Sequence, residues 1–235
     1  MNHLDKTLIR FWDSQYQSLH PSTINPETAT VSHEFDAFIK EIGDTSKRVL
    51  DLGSGKGYCL MMAKILGSKM IYGEGIEPSG HAVKYVNQMI HELGYSGLVV
   101  KQGTHSLLKK YPSASFDGVI VSNVLDVVPR ETSEEMIDAL TRVLKKNGRL
   151  LVKVNFHLDQ ELLKRVKMTK VDENLYALNG VIRSYNLTSD KWIERFESKG
   201  YECIRQGTYD RVKTGPKDRL FMFIKRGEIH EDNGC

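Results

Sequence analysis

Cysteine is scarce in this chain of 235 residues: Cys59, Cys203 and Cys235 are an odd number without paired spacing. That argues against a zinc site and for a reducing compartment. An excess of one charge is also missing. Lys and Arg number 33 against 30 Asp and Glu, a net charge of +3, and no long basic run occurs. This balance argues against a nucleic-acid partner. No apolar run approaches the length of a membrane span, so no membrane partner is expected. The opening residues Met1 to Lys6 lack the apolar region of a signal peptide, which leads to the expectation of a cytoplasmic protein. Internal repeats and a second domain are absent. The phosphate-binding pattern G-x-x-x-x-G-K-[ST] is absent too, because no Ser or Thr follows Lys56.

What is present is a stretch from Arg48 to Tyr58, Arg-Val-Leu-Asp-Leu-Gly-Ser-Gly-Lys-Gly-Tyr. Val49, Leu50 and Leu52 suit a strand covered on both faces, as a parallel sheet requires. Gly53, Gly55 and Gly57 then permit a tight turn and close approach of a ligand to the main chain. The helix that follows would point free N–H groups at that ligand. The dinucleotide fingerprint G-x-G-x-x-G is not met: the third glycine comes one residue early and Tyr58 fills its place. That disfavours a nicotinamide-dependent oxidoreductase. Glu77 follows Gly57 by 20 residues and stands at the end of a second strand. In doubly wound folds an acid there accepts hydrogen bonds from ribose hydroxyls.

Val-Leu-Asp-Leu-Gly-Ser-Gly-Lys-Gly resembles the first motif of the class I S-adenosylmethionine-dependent methyltransferases, and the likeness extends over roughly residues 45–226. The resemblance implies an α/β fold: a doubly wound, mostly parallel seven-stranded sheet with helices on both faces and an antiparallel C-terminal strand pair. Phe116-Asp117 before the fourth strand and Asn123-Val-Leu-Asp after it resemble the same family. The Asp/Asn-Pro-Pro-Tyr/Phe motif of amino-directed nucleic-acid methyltransferases is missing there, which counts against modification of base amino groups.

The remaining segments are read from their patterning. A short helix near 4–18 and an irregular crossing through His20-Pro21 and Asn25-Pro26 precede an amphipathic helix over 32–43 stopped by Gly43. A crossover helix over 57–66 closes at Gly67, a strand runs from Met70 to Ile76, and Ser79 caps the next helix. Leu98 to Gln102 and Val119 to Val121 are strands. Thr132-Ser133-Glu134-Glu135 reads as a capping box. Lys145 and Lys146 close that helix, Gly148 stops it, and a fifth strand runs from Leu150 to Phe156. A basic helix over 159–168 precedes an inserted hairpin at 175–185 turning at Asn179-Gly180. A last helix over 188–199 leads to strands at 201–206 and 220–224. The domain division expected is an N-terminal helical lid over 1–45, a methyltransferase domain over 46–226 and a polar, disordered tail over 227–235.

The resemblance implies S-adenosyl-L-methionine as cofactor and S-adenosyl-L-homocysteine as product. It implies a cofactor site of Tyr16, Asp51, Gly53, Ser54, Gly55, Gly57, Glu77, Pro78, Gly103, Thr104, Ser122, Asn123 and Val124. Asp51 would hold the ammonium and Glu77 the ribose hydroxyls. Gly103 and Thr104 would lie beside the adenine, although Thr104 stands where the family often has an acid. His157, after the fifth strand, and Asp126 are the candidate catalytic residues, His for its ordinary pKa near 6.5. Asn123, Arg183 and Tyr185 are the candidate substrate pocket. No metal is expected. The expected acceptor is a small molecule, with a protein or RNA acceptor, or a catalytically silent cofactor-binding regulator, as alternatives.

Overall fold

The computed structural model describes residues 3–20, 30–210 and 215–227. Helix α1 (His3–Tyr16) and helix α2 (His33–Thr45) lead into strand β1 (Arg48–Leu52). There follow α3 (Tyr58–Leu66), β2 (Tyr72–Glu77), α4 (Gly80–Glu92), β3 (Leu98–Gln102), a 3-10 turn (His105–Lys110) and β4 (Phe116–Ser122). Next come α5 (Arg130–Val143), β5 (Leu144–Val154), α6 (Gln160–Arg165), β6 (Thr169–Asp172), β7 (Leu175–Leu178) and β8 (Val181–Tyr185). Helix α7 (Ser189–Glu197), β9 (Tyr201–Asp210) and β10 (Lys217–Lys225) complete the order. The seven-stranded sheet runs β3-β2-β1-β4-β5-β10-β9. Its first five strands are parallel, and β10 lies antiparallel to both β5 and β9.

Successive side chains of a strand point to opposite faces. Val49, Ile120, Leu151 and Leu220 therefore face α2, α3 and α4, packing with Phe38, Ile42, Leu60 and Val86. Leu50, Val119, Val152 and Phe221 face the other way, onto Ile137 and Leu140 of α5 and Trp192 and Phe196 of α7. The order reverses between β1 and β4, and at such a switch point the carboxyl ends of the strands leave a crevice.

The patterning locates the elements and misplaces several ends. Gly43 does not stop α2, which continues to Thr45. A Cβ on Gly43 would lie 2.1 Å from the Ala63 carbonyl oxygen and 2.8 Å from Gly67 Cα, so its bareness lets α2 and α3 touch backbone to backbone. Helix α5 starts at Arg130, not at the capping box: Pro129 is the cap residue, with its fixed φ at −55°. The Pro129 carbonyl accepts the Ser133 N–H at 2.9 Å, and Glu135 faces His105 instead. Lys145, Lys146 and Gly148 lie inside β5, where Lys145 pairs with Asp117 at 2.6 Å, so Arg142 is the base in the last turn of α5. The hairpin at 175–185 forms as β7 and β8, joined by β6 into a separate three-stranded sheet. The N-terminal crossing lies mostly outside the described residues, and so does the tail beyond residue 227.

The expected lid over 1–45 divides in two. Helix α2 is a sheet helix, buried through Phe35, Phe38, Ile39 and Ile42. Helix α1 packs across β8 and α4 and buries Leu8 in the core. Asp13 accepts the Ser79 hydroxyl at 2.6 Å at the start of α4, and Arg183 of β8 stacks on Phe11 and Trp12 at its other side. No helix among the described residues is long and apolar enough to cross a membrane. The Gly43 contact makes a test: Gly43→Ala lowers stability by about 1–3 kcal/mol by overpacking, read as a lower urea midpoint at unchanged slope.

Candidate functional site

A cleft of about 1600 Å³ opens where the parallel strands end, lined by Asp51 and Leu52 of β1, Glu77 of β2, Gln102 of β3, Ser122 of β4 and Lys153 of β5. Its floor is the loop after β1. Gly53, Gly55 and Gly57 there have φ of 70°, 50° and 72°, the left-handed region that favours glycine. The Gly53 N–H donates to the Ile76 carbonyl at 2.7 Å, which ties the loop to β2.

Glu77 fixes the loop from the other side. Its Oε2 accepts the Gly55 N–H and its Oε1 the Ser79 N–H, both at 2.9 Å. Burial pushes its pKa up, and these two N–H groups pull against that. Asp51 is 1% exposed. Burial, then the Glu77 charge, raise its pKa to about 7 against a backbone hydrogen bond from Leu60. Its Oδ2 has no hydrogen-bond partner among the described residues. The Tyr16 hydroxyl lies over Gly55, 3.0 Å from where a Cβ would be, and burial followed by the Glu77 charge raises its pKa to about 12.

The group implied by the family fits these residues. An unsatisfied buried carboxylate oxygen suits a cation. A carboxylate oxygen already bonded to one N–H retains acceptor capacity for a hydroxyl. No group of three or more His, Cys, Asp or Glu able to hold a metal occurs among the described residues.

Twelve of the thirteen expected cofactor residues line this cleft: Tyr16, Asp51, Gly53, Ser54, Gly55, Glu77, Pro78, Gly103, Thr104, Ser122, Asn123 and Val124. Gly57 does not. It caps α3 and packs on Val86, where a Cβ would come within 2.5 Å of that side chain. The candidate catalytic residues are not brought there. His157 is exposed on the loop after β5, and neither it nor Asp126 lines the cleft. Asp126 is buried and accepts the Asn155 N–H at 2.8 Å and its side-chain amide at 2.6 Å, a link between the ends of β4 and β5. Of the expected acceptor pocket only Asn123 is in the cleft. Tyr185 packs edge-on against Trp192 and lines a smaller pocket of about 330 Å³, and Arg183 is engaged by α1.

Four cleft side chains were not foreseen: Phe35, Tyr58, Tyr209 and Lys153. Phe35 of α2 stacks on Tyr209 of β9 (5.4 Å between centroids, 3° between planes) and on Tyr58 of α3 (6.3 Å, 28°). The Tyr58 hydroxyl donates to Asp36 at 2.6 Å and accepts the Val31 N–H at 3.1 Å. Lys153, 3% exposed, donates to Asn123 Oδ1 at 2.6 Å and pairs with Asp218 at 2.8 Å. Lys153 within the apolar stretch from Leu150 to Val154 is the signal in the sequence that could have found this end.

Known proteins place this architecture. The chain is similar to tRNA N(3)-methylcytidine methyltransferase trm140 of Schizosaccharomyces pombe, 22% identical over 219 residues, which span 91% of this chain and 71% of that protein. It is similar to human tRNA N(3)-cytidine methyltransferase METTL6, 24% identical over 221 residues, 92% of this chain and 77% of the relative. The crystal structure of Burkholderia thailandensis 1,6-didemethyltoxoflavin-N1-methyltransferase, with its substrate and S-adenosylhomocysteine bound, shares the fold. Its TM-score is 0.69 at 13% identity, over 97% of this chain and 92% of the other. The family described as a methyltransferase domain matches residues 44–200, about two thirds of the sequence. The chain belongs to that family, as a class I methyltransferase whose cofactor is S-adenosylmethionine.

Proposed function

We propose that the enzyme transfers the methyl group to a small molecule bound at the β4–β5 end of the cleft. The observation that carries this reading is the charge of the walls. Asp51, Glu77, Glu131, Glu135 and Asp138 line the cleft against Lys56, Lys109, Arg142 and Lys153. A groove that tracks a nucleic-acid backbone needs a surplus of cations, because phosphate contacts supply most of the affinity. The aromatic end is also recessed: Phe35 is 3% and Tyr209 6% exposed.

In this reading Asp51 holds the cofactor's ammonium, Glu77 with Pro78 the ribose, and Gly103 and Thr104 the adenine. Gly53, Ser54 and Gly55 approach the amino-acid end, with Ser122, Asn123 and Val124 beside it. Tyr16 covers it from α1. The cofactor, when bound, supplies an electrophilic methyl on a sulfonium. The protein contributes orientation, exclusion of water and charge, which lower the barrier without a covalent intermediate. The division that suits the packing has α1 as the cap, residues 46–226 with α2 as the catalytic body, and 227–235 as a tail.

A second reading has an RNA acceptor, favoured by the two tRNA-modifying relatives that align over most of the chain. Incubation with labelled S-adenosylmethionine and separate metabolite, tRNA and protein fractions distinguishes them. Label in the metabolite fraction is the expected result, and label confined to tRNA replaces the first reading with the second.

The acids supply two further tests. Asp51 has its ordinary pKa of 3.8 unfolded and about 7 folded, so between these values the folded protein holds a proton the unfolded chain has lost. Stability contributed by the ligand-free Asp51 is full below pH 3.8 and is lost as pH rises through 7. Binding of the cofactor's ammonium favours the ionised carboxylate. Affinity therefore rises toward neutral pH and levels off above it, with proton release on binding below that point. Calorimetry at mildly acidic pH in two buffers of different ionisation enthalpy reads this release, and Asp51→Asn abolishes it. Glu77→Ala weakens S-adenosylhomocysteine binding by about 1–3 kcal/mol through lost hydrogen bonds, measured in the same titration.

A further inference from the structure

Lys153 lines the cleft while its partner Asp218 does not, so the buried pair presents its ammonium end to the ligand space and its carboxylate end to the protein. Asp218 is fully buried, and Lys153 is 3% exposed. The ammonium lies 5.6 Å from the centroid of the Tyr209 ring, and Tyr209 is one end of the stacked set with Phe35 and Tyr58. Asn123, at φ 56°, accepts a hydrogen bond from the ammonium on its side-chain oxygen, and its own N–H donates to the Lys153 carbonyl at 2.9 Å. The charge is thus held in place from β4, β5 and β10 at once.

Flat rings stacked beside a fixed cation form a site for a flat anion. Burial makes an unneutralised charge costly; the ammonium borders the ligand space and the Asp218 carboxylate that partners it does not, so the nearer cation favours the charged form of an acid bound there. We infer that Lys153 determines acceptor specificity, and that the acceptor is a planar aromatic or heteroaromatic ring with an ionisable O–H or N–H, bound as its anion. This rests on the reading of the cleft as the site of methyl transfer, and it names the acceptor's chemistry. The acceptor gives its proton to water before transfer. Its lone pair forms the bond to the methyl carbon as the carbon–sulfur bond breaks, so a neutral thioether leaves and Lys153 keeps its proton throughout. No side chain is then needed as a proton acceptor, which accounts for the distance of His157 from the cleft.

The test uses the full chain saturated with S-adenosylhomocysteine and 4-nitrophenol as probe, whose anion absorbs visible light and whose neutral form does not. Cofactor-product affinity is measured first by calorimetry. The expected result is saturable binding of the probe with its apparent pKa lowered by about one unit, a tenfold preference for the anion. Displacement by other acidic phenols, and none by glycine or cytidine, is expected with it. The double variant Lys153→Met with Asp218→Asn removes both buried charges together. Read at saturating S-adenosylhomocysteine, with loading checked by the same calorimetry, it should lose the pKa shift, while Lys153→Arg should keep it. A shift unchanged in the double variant, displacement by glycine or cytidine as strong as by phenols, or no saturable probe binding to protein that binds S-adenosylhomocysteine overturns the assignment. Failure to bind S-adenosylhomocysteine overturns the cofactor reading, and this assignment with it.

Discussion

The site depends on the carboxylate of Glu77 accepting two main-chain N–H groups, one from each of the loops that follow β1 and β2. A buried acid is unfavourable unless its charge is met by donors. Here the donors belong to backbone that would otherwise be left exposed at a turn and at the start of a helix. One of these bonds also ties the Gly55 turn to β2, alongside the Gly53 N–H bond to the Ile76 carbonyl. Loop geometry and acid placement therefore support each other. Asp13 of α1 reaches the same corner through the Ser79 hydroxyl, so the cap is anchored to the strand end that carries Glu77.

Asp51 adds a tension to this arrangement. It lies close enough to Glu77 for the second charge to raise its pKa, and burial raises it further. Two acids at the ends of neighbouring strands are unfavourable in the ligand-free protein and favourable once a cation lies between them and the solvent. Binding energy is thereby drawn from strain already present in the folded chain. In the proposed reading, such a pair of acids selects a positively charged ligand by charge.

Most of the sheet was legible because its signals are local. Val49-Leu50-Asp51-Leu52 alternates faces within four residues, and the three glycines mark a turn no other residue forms easily. The distance from Gly57 to Glu77 then follows from one helix and one strand of ordinary length. Element ends were less legible where tertiary contact overrode a local rule. Gly43 looks like a helix stop, yet it is bare because α3 touches it. Thr132 to Glu135 looks like a cap, yet Pro129 starts the helix earlier and Ser133 is buried within it. Tyr185 and Arg183 follow a hairpin signal that was read correctly, but the small sheet turns them toward α7 and α1.

The acceptor end could not be read in the same way, because no local pattern contains it. Phe35 sits on the apolar stripe of α2 and looks like any core residue there. Tyr58 looks like a substitution in a glycine motif, and Tyr209 lies beyond the strand expected over 201–206, which the structure extends to Asp210. Only the fold brings the three rings into one stack and sets the Lys153 ammonium beside it. The contact of Gly43 with Ala63 and Gly67 sets how closely α2 approaches α3. In the proposed reading, cofactor recognition rests on strand ends and their loops, and acceptor recognition on Lys153 of β5 beside rings contributed by α2, α3 and β9. The acids and their loop come from one short span, Asp51 to Glu77, and the ring wall from positions as far apart as Phe35 and Tyr209, which is why the first was legible in the sequence and the second was not.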